Sequence, residues 1–411
     1  DISGQGVHTL DCTVQDAAGN TSSSAGDTMK IDSVKPSASI AVSAGTLGNN
    51  GWYTSDVTIQ TSGTDATSGI ASCTTDQSQT TDTTGADFFG SCTDSAGNVG
   101  DASPSPLTIK RDATAPTLSL SHTADGANGW NVTDPAAEAL TAADTTSGVD
   151  VSTFNCTDSL SGFGAVTGSS SPYAADISGQ GVHTLDCTVQ DAAGNTSSSA
   201  GDTMKIDSVK PSASIVTPAN NASYILNALV VASYTCSDAT SGVAGGSCNG
   251  PVVNGGDIDT TIGAHVFTVT VTDNAGNTNA ATSNYTVKYA ACYLYDPTKS
   301  YKAGSTAPIK FFLCDANGLD VSSAGTVVQA VSLTRQDNSA AGSLEDSGYA
   351  NPDNNFRFDT TLGPLGGYIF NLSTKSPSPA LGQKTSLATG TWLLNFTVGG
   401  VSGYSVRFDV R

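Results

Sequence analysis

The sequence predicts an all-β chain of tandem sandwich modules that ends in a distinct C-terminal β-sandwich. Three observations carry that prediction. The first is composition. The 411 residues include 44 Gly and only 13% charged side chains, against roughly 25% in ordinary globular chains. Only Glu138 and Glu345 are glutamates among the 37 acidic residues. Helix formers are scarce and turn formers abundant. The second is alternation. In Val182-His183-Thr184-Leu185-Asp186-Cys187-Thr188-Val189 the apolar Leu185, Cys187 and Val189 alternate with polar residues, the mark of a half-buried strand. The third is recurrence in fixed order over a period of about 80–95 residues, the size of a small β-sandwich. Disorder is the rival for so polar a chain. It does not account for these alternating runs at a hydrophobic content of 37%.

The repeat units explain the elements in turn. Residues 1–40 recur unchanged at 176–215, an offset of 175. Weaker copies share three tags. D-x-A-G-N stands at 16–20, 94–98, 191–195 and 273–277. D-[AT]-T-S-G-[IV] stands at 65–70, 144–149 and 238–243. An Asp shortly before a Pro closes three units: Asp32/Pro36, Asp112/Pro116 and Asp207/Pro211. An alternating strand precedes D-x-A-G-N. The Asp then accepts backbone bonds at the turn, and Gly-Asn supplies the positive φ that a tight turn needs. A second strand follows, such as Thr203-Met204-Lys205-Ile206. The Asp–Pro stretch then stiffens the connection, because proline fixes φ and keeps the preceding residue extended.

These tags resemble the bacterial Ig-like repeats of large secreted surface proteins and adhesins, over residues 1–289. Asn50-Gly51-Trp52-Tyr53-Thr54-Ser55-Asp56-Val57 resembles their early-strand signature. Tyr234-Thr235-Cys236-Ser237-Asp238, with Gly263-Ala264-His265-Val266-Phe267-Thr268-Val269 after it, resembles a related hyalin-repeat-type module. From about Ala290 the repeats stop. The run from Tyr301 to Phe312, then Asp315-Ala316-Asn317-Gly318, resembles a C-terminal β-sandwich found after such repeats. The expected division is 1–35 (the C-terminal half of a module), 36–115, 116–210 and 211–289 (Ig-like modules), and 290–411 (the terminal sandwich).

The nine cysteines sort by module into Cys73/Cys92, Cys156/Cys187, Cys236/Cys248 and Cys292/Cys314, leaving Cys12. Four bridges imply an oxidising, extracytoplasmic setting, with reduced or metal-bound thiols as the alternative. Cys12 is the repeat equivalent of Cys187, so its expected partner precedes the sequence. Two expectations follow for 1–35: the native protein extends upstream, or another copy supplies the missing strands by complementation.

A net charge of −21 opposes nucleic acid and anionic lipid. No apolar run is long enough to predict membrane insertion. Catalysis finds little support. There are four histidines, His8, His122, His183 and His265, and two of them, His8 and His183, share one repeat position. Calcium is the sharper expectation. With D-[AT]-T-S-G as the B–C loop and D-x-A-G-N as the F–G loop, both lie at the pole where the Asp–Pro linker arrives. Three carboxylates then converge at each joint: Asp32, Asp65 and Asp94; Asp112, Asp144 and Asp191; Asp207, Asp238 and Asp273. Asn98, Asn195 and Asn277 are expected to add carbonyl oxygens, giving the hard donor set that Ca2+ takes. The alternative is that these Asp residues only cap turns. Trp52, Trp130 and Trp392 raise a carbohydrate-stacking platform, although the matching positions of Trp52 and Trp130 point to packing. The N-x-S/T sequons at Asn20, Asn195 and Asn284 mean little in a chain this rich in Ser and Thr.

The expected function is structural: a non-catalytic, extracellular, rod-like stalk of an adhesin or a filament subunit on the cell surface. Its expected partners are other copies of itself, surface glycans or proteins. The alternative is a carbohydrate-binding or spacer region of a secreted carbohydrate-degrading enzyme.

Overall fold

The computed structural model describes residues 1–337, 341–342, 344, 351–377 and 384–411. Strands run from Gly6–Leu10 to Val401–Val410, and the helix among the described residues is limited to two single 3-10 turns, Asn49–Gly51 and Pro352–Asn354. The chain forms two compact units, Asp1–Val209 and Lys210–Arg411.

In the first unit, Gly6–Leu10 pairs with Asp27–Ile31, and Thr13–Gln15 pairs with Thr21–Ser23 across the first D-x-A-G-N turn. A six-stranded sheet built on Ser37–Ala44 and Val57–Thr64 then faces a three-stranded sheet of Thr83–Phe88, Leu107–Arg111 and Trp52–Tyr53. Ile40, Val57, Ile59, Ala102 and Ile109 fill the space between them. The next sandwich sets Thr117–Ser121, Ala136–Ala143 and Tyr173–Ile177 against Trp130–Asn131, Ala200–Ile206, Gly181–Asp191 and Val149–Asp158. The period-two pattern read from the sequence is what buries it. On Gly181–Asp191 the residues His183, Leu185, Cys187, Val189 and Asp191 point inward and are covered.

In the second unit, Ser212–Thr217 pairs with Ser233–Ser237 over a sheet of Ala222–Ile225, Thr278–Lys288 and Gly263–Thr272, around Tyr234, Phe267, Val269 and Tyr285. The last sandwich sets Thr306–Cys314 and Gly367–Ser373 against Gly390–Val398, Val401–Val410 and Val328–Arg335. Its core is richer in aromatics, with Phe311, Phe370, Phe396 and Trp392 all buried. In every sandwich a short early strand runs parallel to a late one: Trp52–Tyr53, Trp130–Asn131, Ala222–Ile225 and Ser300–Tyr301 each do so.

The bridges Cys73–Cys92, Cys156–Cys187, Cys236–Cys248 and Cys292–Cys314 are formed, and Cys12 is free and exposed. Cys73 and Cys92 face each other in register on neighbouring strands, as do Cys156 and Cys187. These two therefore fasten strands within a sheet, and the sheets are held face to face by the packing between them rather than by sulfur. Replacing both Cys156 and Cys187 by serine is expected to cost about 2–4 kcal/mol, read as a shift in the urea midpoint. An unchanged midpoint would contradict it.

Candidate metal centre

The tags build the same local structure at each place they occur. In D-x-A-G-N the Asp carboxylate folds over its own turn. Asp94 Oδ1 accepts the Ala96 and Asn98 backbone N–H groups at 2.9 and 2.8 Å, and its Oδ2 accepts the Asn98 amide at 2.8 Å. Gly97 takes φ +96°, which only a glycine adopts cheaply. In D-[AT]-T-S-G, Asp65 Oδ1 gathers the N–H groups of Thr67, Ser68 and Gly69 at 3.0, 2.8 and 3.0 Å. Burial raises the Asp65 carboxyl, but these donors outweigh it and hold it below the ordinary carboxylate value.

The linker Asp joins the two loops. Asp32 Oδ2 accepts the Ser68 N–H at 3.1 Å, and the Asn98 amide donates to the Asp32 and Val34 carbonyls at 3.2 and 3.3 Å. The second set repeats the arrangement. Asp144 gathers Thr146, Ser147 and Gly148, while Ser147 N–H also reaches Asp112 Oδ2 at 3.0 Å. Asp191 caps Gly194 and Asn195, and the Asn195 amide ties Asp191 Oδ2 to the Asp112 carbonyl at 2.8 and 3.0 Å. Asp94, Asp112 and Asp191 are essentially inaccessible, at 1%, 0% and 1% exposure.

The third set divides between the units. Asp207 closes the first, buried, with its Oδ1 on the Val209 N–H at 3.1 Å. In the second, Asp238 caps Thr240 and Gly242, and Asp273 caps Gly276, Asn277 and the Asn277 amide.

Within the first unit, Asp32, Asp65 and Asp94 bring oxygens within 4.8 Å of one another, as do Asp112, Asp144 and Asp191. At that separation each pair of charges repels by about 3 kcal/mol at an effective dielectric near 20. Backbone N–H groups offset part of this. The donor set is oxygen alone and carries three negative charges, which fits a hard cation of the calcium type and not a soft one. The side-chain nitrogens of Asn98 and Asn195 face the carboxylates and the linker carbonyls, so both residues latch the linker to the capped turn.

Consecutive modules also touch through one recurring contact, which the sequence reading missed. In the first unit Asn49 N–H donates to Ala193 O at 2.8 Å and the Asn50 amide donates to Ala192 O at 3.0 Å, both on the turn that Asp191 caps. In the second unit Ala316 N–H donates to Leu226 O at 2.9 Å and the Asn227 amide donates to Asp315 Oδ2 at 3.0 Å. Asp315 caps Asn317 and Leu319 as the tag Asp residues do. The Asn227 amide is the main cause of its lowered carboxyl pKa, ahead of the backbone donors. Asn50 and Asn227 both have positive φ, +51° and +58°. The available signal was Asp315-Ala316-Asn317-Gly318 itself, a D-x-x-G turn like the others.

Trp52 and Trp392 are buried, at 8% and 2% exposure, and Trp130 is half-buried. Lys110 and Lys205 lie over the rings of Trp52 and Trp130, which suits packing more than stacking on a sugar. Asn195 spends its sequon amide on the linker. His8 and His265 bond neighbouring carbonyls, and His183 and His122 contact acidic side chains.

Fold and joints define a class: a protein of tandem Ig-like β-sandwiches. Among the described residues no helix is long and apolar enough to cross a membrane. No family model and no curated protein matches the chain. Solved structures do. The protocadherin GammaB4 extracellular domain aligns over 99% of this chain and 72% of its own, at 13% identity and a TM-score of 0.30. FdeC, an Escherichia coli adhesin, aligns over 72% of this chain and 96% of its own, at 16% identity and 0.22. An I-band fragment of titin aligns over 72% and 98%, at 10% identity and 0.27. Likeness at these TM-scores carries no argument, and the class rests on the strand pairing itself.

Proposed function

We propose that this chain is a length-setting, load-bearing segment of an extracellular surface protein, an adhesin stalk or a filament subunit. Its modules divide as 36–115, 116–210, 211–289 and 290–411, with 1–35 equivalent to the last strands of a further one. The observation that carries this reading is the recurring lock in which a left-handed Asn, Asn50 or Asn227, bonds the capped turn of the following module. A chain selected only to tether would not need it. Four disulfides support an oxidising, extracellular setting.

The test is the spread of distances across one joint. Spin labels introduced through non-canonical residues at Thr81 and Leu160 should give a narrow distribution, and Asn50→Gly with Asn195→Ala should broaden it. Glycine keeps the positive φ and removes only the reach. Equal widths would sink the reading.

Calcium completes this proposal. Asp32, Asp65 and Asp94, and Asp112, Asp144 and Asp191, hold the ion, which cancels their mutual repulsion and clamps the linker to both loops. Bound calcium at a hundredfold excess over its dissociation constant stabilises by about 2.7 kcal/mol. Melting should therefore rise by several degrees with calcium and fall with chelator. A melting temperature indifferent to both would remove calcium from the proposal and leave the hydrogen-bonded lock.

A further inference from the structure

The sandwich of residues 117–206 holds a second cluster, away from its joints. His122 follows the strand Thr117–Ser121, Glu138 lies beside it on Ala136–Ala143, and Asp202 comes from Ala200–Ile206 in the facing sheet. His122 Nδ1 stands 2.7 Å from Asp202 Oδ2 and 3.5 Å from Glu138 Oε2. One ligand atom from each of the three lies within 4.8 Å of the others.

Glu138 is the unusual member. It occupies the inward phase of its strand with Ala136, Leu140 and Ala142, and its side chain is 0% exposed. Neither carboxylate oxygen has a well-formed hydrogen bond, and the Ser121 backbone and His122 ring help it only weakly. Burial, and then the Asp202 charge, push its carboxyl up to about 7. An ionisable group buried without a partner is costly unless something else meets it. A shallow pocket of about 360 Å³ touches His122 and Glu138, with Ala137 and Ala139 from the other phase of the strand in its lining and Asp202 outside it.

We propose that His122, Glu138 and Asp202 bind a single divalent transition-metal ion of the zinc class, which staples the two sheets of this sandwich. The donor set decides the class. An imidazole nitrogen with two carboxylate oxygens suits zinc, whereas calcium and magnesium prefer oxygen alone. A tetrahedral site with bonds of 2.0–2.2 Å has ligands roughly 3.3 Å apart. The observed 2.7 and 3.5 Å bracket that spacing, so small side-chain shifts suffice. Asp202 and His122 keep some exposure, 27% and 13%, which leaves the ion a way in and a water in the remaining position. The cluster also crosses between sheets, which the Cys156–Cys187 bridge does not.

The test uses the full chain carrying Cys12→Ser, which removes the exposed thiol as a competing ligand, in excess calcium to occupy the acidic joints. Zinc should raise the melting of this sandwich by roughly 5–10 °C at one equivalent bound. Cobalt should give the visible absorption of a tetrahedral nitrogen–oxygen site. Glu138→Gln should abolish the zinc-dependent rise while raising the melting temperature of the metal-free protein, because it removes a buried carboxyl that its neighbours compensate only weakly. Asp202→Asn, at the more exposed ligand, should abolish the rise with an unchanged far-ultraviolet spectrum. No zinc response in the Cys12→Ser protein overturns the proposal. So does a response that survives in either Glu138→Gln or Asp202→Asn.

Discussion

Replacing Asp158 by alanine should destabilise the sandwich of residues 117–206 by about 3–5 kcal/mol, because it leaves the buried His183 ring and the Gly162 N–H without their acceptor. His183 and Asp158 both have fully buried side chains, with 2.8 Å between Nδ1 and Oδ2. The other ring nitrogen, Nε2, donates to the Gly179 carbonyl at 2.9 Å. Asp158 Oδ2 also accepts the Gly162 N–H at 2.7 Å. Both ring nitrogens thus face acceptors, and loss of the carboxylate strands a ring and a backbone donor away from water. The pair also sets a pH response. Burial raises the Asp158 carboxyl, but His183 and the Gly162 and Leu160 donors outweigh it and hold it below the ordinary carboxylate value. A carboxyl held lower in the folded state than in the unfolded one stabilises fully above the unfolded value. That contribution is lost as pH falls through the folded one. Urea midpoints should therefore drop with acid below about pH 4 in the native protein, and Asp158→Ala should flatten that part of the curve. A variant as stable as the parent at neutral pH would contradict the account.

Asp191→Ala should cost about 3 kcal/mol or more, because it abandons several donors in a site 1% exposed. The Gly194 and Asn195 N–H groups lose their acceptor, and the Asn195 amide loses one of the partners that orient it toward the Asp112 carbonyl. The molecule supplies its own control. Asp16 stands at the same place in the identical forty residues and makes the same kind of cap, with Ala18, Asn20 and the Asn20 amide at 3.0, 2.8 and 2.9 Å. There the turn is exposed, water replaces the lost acceptor, and Asp16→Ala should cost no more than about 1 kcal/mol. Denaturation curves of the two variants should separate clearly. Superimposable curves would mean that burial does not decide the cost.

That comparison also marks what the sequence could reveal. The turn at Asp16 and the turn at Asp191 are written in the same letters, and turn chemistry is local, so both were readable. Burial is not local. His8 is only half-buried and bonds the Gly4 carbonyl, whereas His183 is sealed against Asp158, a residue outside the repeated segment. Strand positions, the cysteine partners within modules and the convergence of the linker and loop carboxylates follow from alternation, spacing and the polarity of a sandwich. The direction in which Asn98 and Asn195 turn their amides does not. It depends on carbonyls of a linker sixty or more residues away. Glu138 was legible in principle. It interrupts an inward-facing series of Ala136, Leu140 and Ala142, and a glutamate in that phase is a departure that needs a reason.

The in-sheet placement of the sulfur bridges changes how this chain would yield under tension. When a sandwich is pulled apart, only residues outside a covalent loop can run out. The Cys156–Cys187 bridge closes off a sequence separation of 31 residues, which at about 3.4 Å each withholds roughly 100 Å of slack from a stretched module. A reducing environment would release that hidden length, turning a strap of limited give into one that pays out much further before its ends part.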